Sequence, residues 1–455
     1  MDVFLLVLEI VVVVTAIILG VRAGGMGLGV FGAVGVFILV FVFQLPPGAV
    51  PGSAMLIILA VITAAATMQA AGGIDYMVMV AARLIRRRPR LVTLVAPLVS
   101  YVFVVGAGTS NIFYPLIPVI YEVSYASGIR PERPLSLSTV ATAFGITSSP
   151  VAAAMAAMLV LVEPKGVTLP QILLVTIPSS VVAIVLSSLL MMRWGKDLAK
   201  DPEYQKRLAD GKVAPPRALS GDVGGEGEQM AIPASGRRSA LIFLLGVVFV
   251  MVIALVPALK PSFPVGPQGA LEPLGMTEAI QLTMFTVALL IFLLCRVKPA
   301  EVIKQPTFSS GVVAIVALFG VAWLANTFIE AHLHSIIGAL GGAVESAPFV
   351  FAIAVFVVAG LTTSQSATTN TIVPIGLALP GLGVGAIVAM WQALAGVYLL
   401  PANGTQLACI ETDRTGSTRI SKFVIYHSFT IPMLVCTVIA IAVGLVIASV
   451  ARVGV

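Results

Sequence analysis

The chain has 455 residues, of which 59% are apolar and only 10% charged, and its mean hydropathy is +1.08. A soluble domain carries about 25% charged residues, so the composition excludes soluble, disordered and fibrous classes and indicates a polytopic membrane protein. The net charge of +6 does not point to nucleic acid, because the basic residues are dispersed over several loops. Neither the cysteines (Cys295, Cys409, Cys436) nor the histidines (His332, His334, His427) have the spacing of a disulfide framework or a metal site.

A bilayer core about 30 Å thick takes roughly 20 apolar residues per helix. Runs of that kind cover 3–21, 26–45, 54–82, 134–162, 169–192, 240–258, 277–295, 308–330, 385–411 and 423–450. The first lacks the basic start of a secretory leader, since Asp2 and Glu9 are acidic, and reads as a span. Two further stretches, 91–126 and 347–382, are apolar but interrupted near their centres. Residues 193–239 are rich in charge, Gly and Pro and read as a linker loop between two halves, 1–192 and 240–455.

The distribution of Lys and Arg orients the chain. With the amino terminus outside, and each interrupted stretch returning to the side it entered from, all of the 26 basic residues except Lys165, Lys260 and Arg452 fall on the cytoplasmic side. Both termini are then periplasmic and the linker is cytoplasmic. Each half contains an odd number of crossings, so the halves have inverted topology, the architecture of secondary transporters. The expected fold is an all-α polytopic membrane protein of two inverted-topology repeats, each of five transmembrane helices plus one re-entrant helical hairpin. The exit limbs 112–126 and 371–382 are short for a full crossing, which favours hairpins. Pairs of full helices joined by tight turns are the alternative, with the same orientation.

The interruptions repeat residue by residue. Thr109-Ser110-Asn111 precedes Pro115, and Thr368-Thr369-Asn370 precedes Pro374. Within the second stretch, Ser364 and Gln365 open the same polar run. A second break follows each motif, at Thr147-Ser148-Ser149 before Pro150 and at Asn403 and Thr405 after Pro401. Ser, Thr and Asn are preferred helix N-caps, and the start of a helix, with free N–H groups and the positive end of the dipole, is an anion site. A lone hydroxyl in a lipid-spanning helix is mostly a packing residue. Matched motifs at equivalent points of two halves instead argue for broken backbone lining a polar cavity, suited to a small anion with a carboxylate at each end.

At these residues the sequence resembles the Dcu family of anaerobic C4-dicarboxylate transporters, within the ion-transporter superfamily of inverted-repeat carriers. The matching stretches are "MQAAGGIDYM", "GAGTSNI", "GIRPERPLS", "ITSSPVAAA", "DPEYQKRL", "GVAWLANTF", "SQSATT" and "DRTGSTRISKF", spread over nearly the whole chain. The resemblance implies a bacterial inner-membrane carrier of fumarate, succinate, malate and aspartate, working by fumarate/succinate exchange or cation-coupled uptake. Ser110, the hydroxyl run Ser366 to Thr369, Asn326 and Ala402-Asn403-Gly404 depart from the family pattern.

No arginine lies inside an expected span; Arg83, Arg414 and Arg419 are the nearest. Carboxylate binding therefore falls to hydroxyls, amides and backbone N–H groups. Among the acidic residues, Glu122 and Asp75 are the candidates for proton coupling. No enzyme motif is present: no aspartate-rich prenyl-transfer cluster, no HExxH, and no histidine placed at depth for a serine protease. The expected partners are dicarboxylate anions and the lipid bilayer, with no cofactor, metal or nucleic acid. Coupling to H+ or Na+ and homo-oligomerisation are both compatible with the chain. A sodium-coupled carrier of another organic anion and an anion channel are the competing readings.

Overall fold

The structure, a computed structural model, describes residues 3–23, 26–50, 52–216, 234–265, 270–379, 381–400, 403–420 and 427–454. Helices α1 (Val3–Ala23), α2 (Gly27–Phe41) and α3 (Gly52–Ala70) open the chain, followed by α4 (Gly73–Arg86). A 3-10 turn (Pro89–Leu91) leads into α5 (Val92–Ala107), and a second (Ser110–Phe113) precedes α6 (Leu116–Ala126). Next come α7 (Glu132–Thr147), α8 (Ala153–Val162), α9 (Leu169–Met191) and the short α10 (Pro202–Ala209). The remainder comprises α11 (Ala234–Leu255), α12 (Met276–Cys295), α13 (Pro299–Val302), α14 (Pro306–Ser346), α15 (Phe349–Thr362) and α16 (Gln365–Ala378). Helix α17 (Val384–Met390) runs into a 3-10 helix (Trp391–Tyr398), and α18 (Gly404–Thr412) and α19 (Thr430–Val450) end the chain.

One feature departs from an all-helical chain: strands β1 (Ser262–Val265) and β2 (Ala270–Pro273) pair antiparallel, Ser262 opposite Pro273, in the connection between α11 and α12. Among the described residues, six helices are long and apolar enough to cross a membrane, or seven if one bent pair counts as a span. That bent pair corrects the expected continuous span 54–82: α3 and α4 meet at 75°. Gly72 holds φ +84° at the corner, a left-handed conformation that glycine adopts without steric cost. The run 308–330 is likewise extended, to the 41 residues of α14.

Helix α7 forms the centre of the bundle, with nearly every residue from Arg133 to Thr147 buried. Three of its hydroxyls are tolerated there because they bond to carbonyls of their own helix: Ser136 to Glu132 O (2.6 Å), Thr139 to Leu135 O (2.9 Å) and Thr142 to Thr139 O (2.7 Å). Gly145 lets α5 approach, since a Cβ there would lie 2.7 Å from the Val104 side chain. In the other half, Gly396 and the backbone of Phe356 bring the 3-10 helix 391–398 against α15 with no room for a Cβ.

Candidate functional site

The two chain reversals are built alike. Helix α5 ends at Gly108 (φ +69°), whose N–H donates to Val104 O at 2.8 Å. Thr109 follows in extended conformation and its Oγ1 accepts from Asn111 N at 3.2 Å. Helix α15 ends at Thr363 (φ +51°), whose N–H donates to Ala359 O at 2.9 Å. Ser364 is then extended, and its Oγ accepts from Ala367 N at 3.3 Å. The order is the same in both: a left-handed residue, an extended hydroxyl cap, a helical start. At Thr363 a β-branched side chain occupies the left-handed region, at a cost of about 1–2 kcal/mol.

This geometry shifts the register expected from the repeated motif. The sequence pairs Thr109 with Thr368, whereas the structure pairs Thr109 with Ser364, one helical turn earlier. Thr368, Thr369 and Asn370 therefore lie inside α16 and cap nothing. Thr368 Oγ1 bonds to Ser364 O (2.8 Å) and to the Thr362 hydroxyl (2.8 Å). Thr369 Oγ1 donates to Gln365 O (2.7 Å) and accepts from Trp391 Nε1 (2.8 Å). Asn370 Nδ2 donates to Ser366 O at 2.8 Å.

Both expected breaks are present. Residues 148–152 are non-helical between α7 and α8, with Ser149 Oγ donating to Val105 O (2.7 Å) and Ser148 Oγ 3.3 Å from Ser180 Oγ. Thr147 Oγ1 turns back to Phe144 O at 3.1 Å. In the second break Asn403 caps α18: its Oδ1 accepts from the N–H and the hydroxyl of Thr405, at 3.1 and 2.9 Å. Pro401 and Ala402 lie outside the described residues. The start of α8 differs, because its N-cap is Ala152, which offers no side-chain acceptor.

The reversals and the breaks meet at one cavity of about 200 Å³, room for about six waters. The first reversal contributes Gly108, Thr109 and Ser110, and the second Thr363, Gln365 and Ser366. Helix α7 contributes Thr142, Ala143 and Ile146, and the first turn of α8 Ala153 and Ala154. Val397, Tyr398 and Asn403 close the other side. Among the described residues, none that lines it carries a charge. Gln365 Nε2 bridges to Ala143 O at 3.1 Å, and the hydroxyls of Thr142 and Tyr398 are 2.7 Å apart.

Of the expected site residues, the cavity gathers Thr109, Ser110, Gln365 and Asn403. Asn111, Thr147, Ser148, Ser149, Ser364, Thr368, Thr369, Asn370 and Thr405 stand behind them without lining it. Thr142, Tyr398 and the α8 start were not singled out by sequence, and Ser366 was noted only within the hydroxyl run that departs from the family pattern. Asp75 is exposed in the first turn of α4. Glu122 is 62% exposed and paired with Arg86 at 3.6 Å, so neither acid reaches the cavity.

Three stretches quoted for the resemblance converge on a separate polar cluster. Arg130 pairs with Glu132 (2.8 Å) and Asp201 (3.1 Å), and Arg207 Nη1 donates to Arg414 O (3.1 Å). Asp413 accepts from Ser417 Oγ and Thr418 N, both at 2.7 Å. On α10, the hydrogen bond from Arg207 holds the Glu203 carboxyl below its ordinary range.

A multi-pass helical bundle with a small polar cavity at the meeting of broken helices is an architecture that membrane transporters use, and the family match places the chain in that class. The chain belongs to the anaerobic C4-dicarboxylate membrane transporter family, whose sequence profile matches residues 5–452. It is 36% identical to the anaerobic C4-dicarboxylate transporter DcuB of Escherichia coli O6:H1 over 451 residues, covering 98% of this chain and 99% of that one. The C4-dicarboxylate transporter DcuA of Wolinella succinogenes is 36% identical over 446 residues (98% and 100% covered), and that of Escherichia coli K12 37% over 448 (98% and 99%). Among solved structures, Neisseria gonorrhoeae MtrF, described as illuminating a class of antimetabolite efflux pumps, superposes with TM-score 0.52 at 13% identity, over 90% of this chain and 84% of that one. That likeness concerns the fold alone.

Proposed function

We propose that the protein is a secondary active carrier of C4-dicarboxylates such as fumarate, succinate, malate and aspartate, and that the cavity between the two reversals is its substrate site. The observation that carries this reading is the convergence of helix starts. The first turns of α8 and α16 and the N-cap of α18 all line the cavity. Helix starts present free N–H groups and a positive dipole end, which suits carboxylates without any fixed positive charge. Hydroxyls and amides from Thr109, Ser110, Gln365, Tyr398 and Asn403 supply the remaining donors.

In this reading residues 1–192 and 240–455 are inverted repeats, α5–α6 and α15–α16 are re-entrant hairpins entering from opposite sides, and 193–239 is a cytoplasmic linker. The protein sits in the bacterial inner membrane with both termini periplasmic. The shortness of α6, α15 and α16, which span about 16–21 Å at 1.5 Å per residue against a core of about 30 Å, supports the hairpins, although the limb Pro89–Ala107 is itself long enough to cross. Alternating access around the cavity then exchanges fumarate for succinate.

Counterflow in proteoliposomes tests the reading. Labelled succinate should enter against its gradient when unlabelled fumarate is inside, with saturation and trans-acceleration. A pore gives neither, and flux that demands Na+ with a different organic acid would identify the sodium-coupled alternative.

A further inference from the structure

Glu9 on α1 and His332 on α14 are 5% and 4% exposed, and neither lines the cavity. His332 Nε2 lies 2.6 Å from Glu9 Oε2, out of line for a well-formed hydrogen bond, and Nδ1 has no partner among the described residues. Phe328 packs against the imidazole with the two rings tilted by 47° and their centroids 4.8 Å apart. The helices packed on α1 and α14 are α2, α3, α15 and α16, and none of them contains a titratable residue. On α14 itself, Glu330 is exposed and accepts from Ala49 N, and the side chains of His334 and Glu345 lie outside the described residues. On α1 the other charged residue described is Arg22, exposed in the last turn.

The charge balance of this pair depends on one proton. With it, the pair is imidazolium–carboxylate or imidazole–carboxylic acid, neutral in total. Without it, a lone carboxylate charge remains between two apolar helices, a costly arrangement. We infer that Glu9 and His332 together form a proton-binding site, separate from the dicarboxylate cavity, whose bound proton keeps α1 seated on α14.

The rest of the interface makes the seat consequential. Helix α14 is fixed to the first half by Trp323 Nε1 donating to Gly48 O (3.0 Å), Asn326 Nδ2 to Ala49 O (2.7 Å) and Gly48 N to Thr327 Oγ1 (3.1 Å). It also packs on α16, whose first turn lines the cavity. Loss of the proton therefore loosens α1 from the element that backs the second reversal, and slows transport.

The test compares thermal unfolding of the purified, nanodisc-embedded protein and of two variants from about pH 5 to about pH 8. Relative to Glu9→Gln, which has no carboxylate to leave charged, the wild type should lose several degrees of Tm as pH rises. His332→Gln leaves Glu9 alone: it should be less stable than wild type at the upper end and recover on acidification. Parallel Tm–pH profiles for wild type and Glu9→Gln, or a His332→Gln profile identical to wild type, would overturn the inference. This readout needs no dicarboxylate, so it stands apart from the test of the transport reading. In proteoliposomes, the succinate exchange rate of wild type should fall several-fold relative to Glu9→Gln over the same range.

Discussion

The hydroxyls of Thr142 and Tyr398, 2.7 Å apart, join the central helix α7 to the 3-10 helix of the second half across one wall of the cavity. Thr142 Oγ1 already donates to Thr139 O, so Tyr398 is the donor between them. Thr405 Oγ1 approaches the same phenol at 3.5 Å. The contact positions a polar edge in otherwise apolar surroundings, and it ties the two halves together where substrate is proposed to sit.

Tyr398→Phe keeps the ring and deletes this hydroxyl. One neutral hydrogen bond is worth about 0.5–1.5 kcal/mol, so succinate affinity should fall about three- to tenfold while expression is retained. Isothermal titration of the purified variant checks this. An unchanged Kd would remove Tyr398 from the site.

Thr363 and Gly108 occupy the same left-handed position at the two reversals, and substitutions there should have opposite signs. Thr363→Gly relieves about 1–2 kcal/mol of conformational strain against about 0.5–1 kcal/mol of added chain entropy, a small net rise in Tm. Gly108→Thr introduces that strain and sets a Cβ 2.8 Å from Val151 O, and Tm should drop. Equal destabilisation by both would contradict the shared geometry.

Asn403 and Asn370 separate residues at the cavity from residues behind it. Asn403→Ala removes both a cavity side chain and the cap of α18, about 1 kcal/mol of stability. Succinate affinity should fall with it. Asn370→Ala removes only a bond to Ser366 O, so it should lower Tm with little change in Kd. The prediction fails if Asn370→Ala weakens binding more than Asn403→Ala.

The proposed orientation is checked from the linker. Lys212 is 67% exposed at the side chain, and Cys409 and Cys436 are buried, so Lys212→Cys in a background lacking Cys295 offers one reactive thiol. Impermeant maleimide should not label it in cells with a permeabilised outer membrane. Rapid labelling would invert the topology.

Much of the architecture was legible because hydropathy reports directly on lipid contact. The two interrupted stretches and the two breaks after them appear where the polar runs interrupt the apolar ones. The register of the second reversal was not legible. Residue type marks good caps, and the run Ser364 to Asn370 is full of them, whereas the turn is fixed by the left-handed residue. Gly108 announces itself as such a residue; Thr363 does not. Tyr398 and Thr142 were hidden because they lie inside helical segments that read as membrane spans. The first-turn amides of α8 were hidden because a backbone donor has no side-chain signature.

Those amides give the most discriminating test. Ala152 already has the extended backbone of an N-cap, φ −81° and ψ 147°, yet lacks the acceptor that a cap supplies. The residues after it, Ala153 and Ala154, line the cavity. If the α8 start is left uncapped so that a substrate carboxylate can complete it, Ala152→Ser should satisfy the same N–H groups permanently. Substrate-free protein should then gain about 0.5–2 kcal/mol of stability. Succinate should lose a charge-assisted bond worth about 1.5–3 kcal/mol, roughly a ten- to hundredfold rise in Kd. Stability and affinity thus move in opposite directions, which general damage to the fold does not produce. A raised Tm with unchanged Kd would mean that the carboxylate binds elsewhere in the cavity and that the bare start of α8 is only a feature of packing.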